Sequence, residues 1–171
     1  MSNKTKVITI LMMALLGACA LPQKKPAVDM QSSFNNEEYN AYTKQGTNTL
    51  KGQAFLRQKG GSVVTCSGSL VYLMPATLFF REISSIVRVG RQPMMDENTK
   101  NSMKKIVKQS QCDAQGNFKF EKLPAASWLV VTDVRWLVGS SRQGGELLGE
   151  ATTSDGGVEE VLLTETNLTK R

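Results

Sequence analysis

Apolar residues along this chain fall into three regimes. The first is an unbroken run over residues 7–16, preceded by Lys4 and Lys6 and closed by Gly17-Ala18-Cys19. The second is a polar stretch, residues 21–48, rich in Gln, Asn, Lys, Ser and Glu, interrupted by Pro22 and Pro26 and without a sustained apolar period. Such a composition buries too little surface to fold by itself and predicts a flexible tether. Phe34, Tyr39 and Tyr42 are then solvated linker residues, unless a segment such as 36–42 folds against a partner. From residue 49 the period becomes two. Residues 50–56, 62–65 and 70–74 are β-branched or aromatic runs bounded by turn residues, among them Gly60-Gly61. Asn117-Phe118-Lys119-Phe120-Glu121 alternates, which predicts a strand with one buried and one wet face. Over 128–136, Trp128, Val130, Val134 and Trp136 share a face, while Leu129 and Val131 make the start of that strand apolar on both sides, as in a central strand. Two last strands, 145–153 and 158–164, flank Asp155-Gly156-Gly157, where Asp-Gly tolerates the positive φ of a tight turn.

A different pattern interrupts the strands between Pro75 and Lys104. About 30 residues stand where a short loop would serve, a length that indicates function or disorder. Phe79, Ile83, Ile86 and Val87 recur at helical spacing after Pro75 and Thr77, predicting a short helix over 77–89, and a second helical turn starts after Asp96. Arg81, Arg88, Arg91, Lys100, Lys104 and Lys105 outnumber Glu82, Asp96 and Glu97 there and interleave with Met94, Met95 and Met103. Basic residues among methionines suit an adaptable binding surface, which makes Arg81, Arg88, Arg91, Met94, Met95, Lys104 and Lys105 the partner-binding candidates. The alternative is a solvated loop whose helix caps one open end of the domain.

The first regime, with its basic start, apolar run and small residues just ahead of Cys19, resembles a bacterial lipoprotein signal with its lipobox. The run is too short for a permanent membrane span. The resemblance implies cleavage before Cys19, acylation of that cysteine and a multi-chain anchor on the membrane. Ala20, in place of the aspartate that resembles an inner-membrane retention signal, points to the outer membrane, with the chain facing the periplasm. A transmembrane helix, or an ordinary secretory signal with an incidental cysteine, is the alternative. Cleavage would remove Lys4 and Lys6 and lower the net charge from +6 to +4.

The second resemblance is carried by Leu50-x-Gly52-x-Ala54, by Val71-x-Leu73-x-Pro75, and most specifically by Asp113-x-x-Gly116-x-Phe118-x-Phe120-x-x-Leu123-Pro124. These blocks resemble the carboxypeptidase-regulatory-like domain, which implies an all-β, seven-stranded, prealbumin-like sandwich over about residues 49–165. Where that family often has Gly-x-Tyr after the proline, this chain has Ala126-Ser127-Trp128, which keeps an aromatic at the core position. The expected organisation is a signal peptide (1–18), a lipidated tether (19–48), the sandwich (49–165) with its insertion at 75–104, and a tail (166–171).

With Cys19 consumed by lipid, Cys66 and Cys112 remain as an even pair in an oxidising compartment. Adjacent strands could bring them within bonding distance, so a disulfide is expected; two buried free thiols are the alternative. The chain contains no histidine, which removes serine-histidine triads, cysteine-histidine pairs and histidine-ligated zinc together. The peptidase that gives the regulatory domain its name and the transthyretin-like hydrolase both need histidines, so neither activity transfers. Glu159 and Glu160, adjacent on a strand, point to opposite faces, and Asp133 and Arg135 read as a surface cross-pair. A non-enzymatic protein without metal or cofactor is expected, and modest charge makes nucleic acid an unpromising partner. Two classes remain. One is a structural or interaction subunit of an envelope assembly such as a secretion-system core complex; the other is a module for envelope glycan, peptidoglycan or a small ligand. The first is favoured, because both tryptophans fall on the predicted core face, whereas sugar sites usually expose aromatics. That preference rests on analogy.

Overall fold

A computed structural model describes residues 26–154 and 156–169. In chain order these form β1 (Ala27–Asp29), α1 (Asn36–Thr43), β2 (Asn48–Arg57), β3 (Val63–Thr65), β4 (Leu70–Pro75), α2 (Leu78–Arg88), β5 (Gln92–Met94), α3 (Glu97–Ile106), β6 (Lys108–Gln111), β7 (Asn117–Leu123), β8 (Ala126–Val138), β9 (Ser141–Thr153) and β10 (Val158–Leu163), then a 3-10 turn at Glu165–Asn167. The proposed lipid site Cys19 and the signal segment lie outside the described residues, as does Asp155 of the last turn.

Alternation along the strands explains two facing sheets. In the first sheet β2 pairs with β10 on one side, and on the other with β3 and β7 in succession; the second has the order β6-β4-β8-β9, antiparallel throughout. Leu50, Ala54, Phe118, Phe120 and Leu163 of the first sheet meet Val71, Leu73, Trp128, Val130 and Leu147 of the second in one core. The Trp128 indole is fully buried and donates from Nε1 to Thr153 Oγ1 at 3.1 Å, and Thr153 in turn donates to the Pro124 carbonyl at 2.7 Å. The architecture is therefore mostly β and sandwich-like. Among the described residues the two sheets hold eight strands rather than the expected seven. The extra one is β6, Lys-Gln-Ser-Gln, an edge strand whose half-exposed polar side chains leave no hydrophobic period to read.

A third layer covers the outer face of the second sheet. Leu129, on the opposite face of β8 from Trp128 and Val130, packs with Phe79, Phe80 and Ile83 of α2, Ile106 of α3 and Tyr39 of α1. Both helices expected in the insertion are present. Asp96 caps α3 by accepting from Thr99 N at 2.9 Å. Thr77 precedes α2 without capping it, and its Oγ1 bonds the Tyr39 hydroxyl at 2.9 Å.

The described part of the segment expected to be a tether is part of the domain. Tyr39 is 1% exposed, stacks on Phe34 with centroids 4.6 Å apart, and meets Phe80 edge-on at 5.5 Å. Tyr42 meets Trp128 edge-on at 5.1 Å. A few aromatics suffice here because their partners are supplied by α2 and β8, so the polar composition around them does not decide the outcome. Just before α1, the Glu82 carboxylate accepts from Gln31 N at 2.6 Å and Ser32 N at 2.7 Å, and also bonds the Ser32 hydroxyl. The Gln31 amide, and then the Ser32 hydroxyl, hold Glu82 below its ordinary value of 4.5. A lowered native value means that this clamp is fully present above about pH 5 and is lost as pH falls through that lowered value. The amide-proton resonances of Gln31 and Ser32 should shift together on acidification with a midpoint below 4.5, and should lose that titration in Glu82→Gln; resonances that do not respond to pH would contradict the clamp.

Candidate functional site

A broad concavity lies on the outer face of the first sheet. Residues of β2, β7 and β10 that alternate away from the core point into it, and strand register sets them in rows. Glu160, Lys51 and Lys119 are consecutive partners across the sheet, as are Leu162, Gln53 and Asn117 in the next row. Ser110 and Gln111 of β6, with Asp113, form one side of a cleft of about 910 Å³. Gly52 allows close packing beneath it, since a Cβ there would lie 2.3 Å from the Phe118 ring and 2.7 Å from the Val161 carbonyl.

Much of this polar lining is already held in place. Asp113 Oδ1 accepts from Gln115 N at 2.9 Å and Asn117 N at 2.8 Å, and Oδ2 accepts from Asn117 Nδ2 at 3.0 Å. The Asn117 side chain, followed by its backbone amide, holds the Asp113 carboxyl below the usual range. Gly116 closes that turn at φ +80°, where a Cβ would also lie 2.7 Å from the Ala54 carbonyl. Gln53 Nε2 donates to the Gln115 carbonyl at 2.9 Å, Gln111 Nε2 to the Gly68 carbonyl at 3.0 Å, and Lys119 pairs with Glu121 at 2.5 Å. Hydrogen-bonding to Lys119 holds Glu121 below its ordinary value. The cleft thus offers ammonium and amide donors, carboxylate acceptors and one exposed aliphatic surface, Leu162. Such a lining can exchange hydrogen bonds with a hydroxyl-rich ligand.

The sequence-derived candidates are distributed differently. Cys66 and Cys112 form a disulfide with Cα atoms 5.8 Å apart. Arg81 makes a two-pronged pair with Glu150, Nη2 to Oε2 at 2.8 Å, across α2 and β9, which raises the arginine and lowers the glutamate from their ordinary values. Arg81 and Arg88 border a small depression over Leu129 and Leu148. Met95 and Lys104 border another with Met103 and Val107. Lys105 is exposed in the last turn of α3, while Arg91 and Met94 are exposed beside β1. The insertion therefore does not gather all seven of these residues into one surface. Asp133 accepts from Arg135 at 2.7 Å as a surface pair. The cleft residues Lys51, Gln53, Asn117, Lys119, Glu160 and Leu162 escape sequence reasoning: alternation reveals which side of a strand each occupies, but only register brings three strands' outward residues together.

No protein-family model matches the chain. No curated protein matches it either. Among solved structures, it is similar to a Pseudomonas aeruginosa protein described as a candidate carbohydrate-binding protein, with 21% identity and a TM-score of 0.64, over 78% of this chain and 99% of the other. A chlorocatechol 1,2-dioxygenase from Pseudomonas putida aligns at 11% identity over 85% of this chain and 68% of the other, but its TM-score of 0.30 carries no argument. What the chain shares with the first of these is its fold.

Proposed function

We propose that this chain is a non-enzymatic envelope lipoprotein, anchored through Cys19 on the periplasmic side of the outer membrane, whose carboxypeptidase-regulatory-like sandwich binds envelope carbohydrate. The single observation that carries the binding reading is the cleft on the first sheet, where strand register sets Lys51, Gln53, Asn117, Lys119 and Glu160 side by side. Hydroxyl-rich ligands need several weak, well-placed hydrogen bonds, and the lining supplies donors and acceptors that are already ordered. Leu162 supplies the apolar contact in place of an exposed aromatic ring. The description of the Pseudomonas aeruginosa relative as a candidate carbohydrate-binding protein supports this choice over the assembly role that the sequence favoured.

Gln53→Ala combined with Lys119→Ala is expected to weaken binding of soluble envelope oligosaccharides by about thirtyfold in calorimetric titration, two lost hydrogen bonds at about 1 kcal/mol each. The fold should be little affected, because the Gln53–Gln115 bond and the Lys119–Glu121 pair are both exposed, and exposed pairs contribute about 0–1 kcal/mol. An unchanged affinity in the double variant would exclude the cleft. A second reading, a subunit of an envelope assembly, is favoured by the β8–β9 hairpin tip, where Leu137 is 68% and Val138 58% exposed.

A further inference from the structure

The chain enters the domain beside a basic, partly apolar surface. β1 runs parallel to β5 with Ala27 opposite Gln92, Val28 opposite Pro93 and Asp29 opposite Met94, so the point of entry lies next to Arg91. Arg91 follows a turn in which Gly90, at φ +70°, donates to the Val87 carbonyl at 2.8 Å, and Arg91 N returns to the Ile86 carbonyl at 3.1 Å. Val87 and Met94 are 45% and 55% exposed, and Arg88 and Arg91 are exposed without an ion-pair partner among the described residues. Of the nearby carboxylates, Glu82 is engaged by Gln31 and Ser32 and Asp96 by Thr99, while Asp29 is exposed opposite Met94, so the basic part of this surface is its Arg88–Arg91 end.

The length of chain ahead of this point limits its distance from the anchor. Cys19 and Ala27 are eight residues apart, a reach of at most about 28 Å. Lys24 and Lys25 lie in that interval. Juxtamembrane cations are attracted to anionic lipid over about a Debye length, and half-exposed valine and methionine side chains suit the headgroup boundary.

We propose that this end of the domain, with Arg88, Arg91, Val87 and Met94, rests on the anionic headgroups of the membrane that holds the Cys19 lipid. The proposal rests on the lipoprotein reading above and fixes an orientation for the domain, with the β1–β5 edge against the leaflet. It is tested with the chain from residue 19 onward carrying Cys19→Ser, so that no acyl chain contributes, co-sedimented with vesicles of phosphatidylcholine with and without phosphatidylglycerol. Binding is expected only with phosphatidylglycerol, reduced at least tenfold by Arg88→Glu with Arg91→Glu. The charge-matched pair Lys104→Glu with Lys105→Glu should largely retain it. Equal binding to neutral vesicles, no binding to anionic ones, or equal loss in both variants would overturn the surface assignment. The mass of the Cys19 peptide from native membranes separates the two readings: an unmodified cysteine removes the anchor and overturns the proposal by that route, whereas an acylated cysteine with vesicle indifference overturns the orientation alone.

Discussion

Replacing Cys66 and Cys112 together with serine is expected to destabilise the domain by about 4 kcal/mol in the chain-entropy model, for a closed loop of sequence separation 46. That is a large share of the stability of a domain of this size. The bridge has this weight because of what it encloses. Strand β4, both helices of the insertion, β5 and β6 all lie between the two cysteines, so the oxidised unfolded chain has the whole insertion held in one loop. Backbone bonds set the same residues in register: Gly68 N donates to the Cys112 carbonyl at 3.1 Å and Cys112 N to the Ser69 carbonyl at 3.0 Å. A thermal midpoint lowered by more than about 10 °C is expected, in the double variant and in reduced wild type alike. Equal midpoints for the oxidised wild type and the double variant would show that the bridge contributes nothing.

Tyr39→Ala is expected to cost about 3–5 kcal/mol, the range for emptying a buried aromatic site. The ring is enclosed by Phe34, Phe80 and Tyr42, and its hydroxyl bonds Thr77 at the start of α2. Burial raises the Tyr39 phenol above its ordinary value, in keeping with a side chain removed from water. Urea denaturation decides this: a near-neutral midpoint would mean that residues 26–47 are the detachable tether their composition predicts. A milder companion, Tyr39→Phe, keeps the packing and removes only the bond to Thr77, so it should lose about 1 kcal/mol.

The two outcomes also mark where sequence reasoning succeeds and where it stops. Alternation at Asn117-Phe118-Lys119-Phe120 and at Trp128-x-Val130 identifies strands and their buried faces, because a half-buried strand must repeat every two residues. Phe79, Ile83 and Ile86 reveal α2 for the same kind of reason at a longer period. Lys108–Gln111 conceals β6, since an edge strand can satisfy its backbone without burying side chains. Tyr39 sits in a stretch that reads as linker, and its partners Phe80 and Thr77 are some 40 residues further along. The cleft is hidden most completely. Lys51, Lys119 and Glu160 are ordinary surface residues one by one, and they become a row only when β2 pairs antiparallel to β7 and parallel to β10. Lysines directly opposite one another repel, and the Glu160 and Glu121 carboxylates beside them offset that cost.

The most direct test of carbohydrate binding by this sheet is an amide-shift map of the isotope-labelled chain titrated with soluble peptidoglycan fragments and with neutral and acidic oligosaccharides. Saturable shifts confined to residues 51–53, 110–113, 117–119 and 160–162 are the predicted result. Shifts centred on residues 78–106 or on the 137–142 hairpin tip, or none with any saccharide at millimolar concentration, would contradict it.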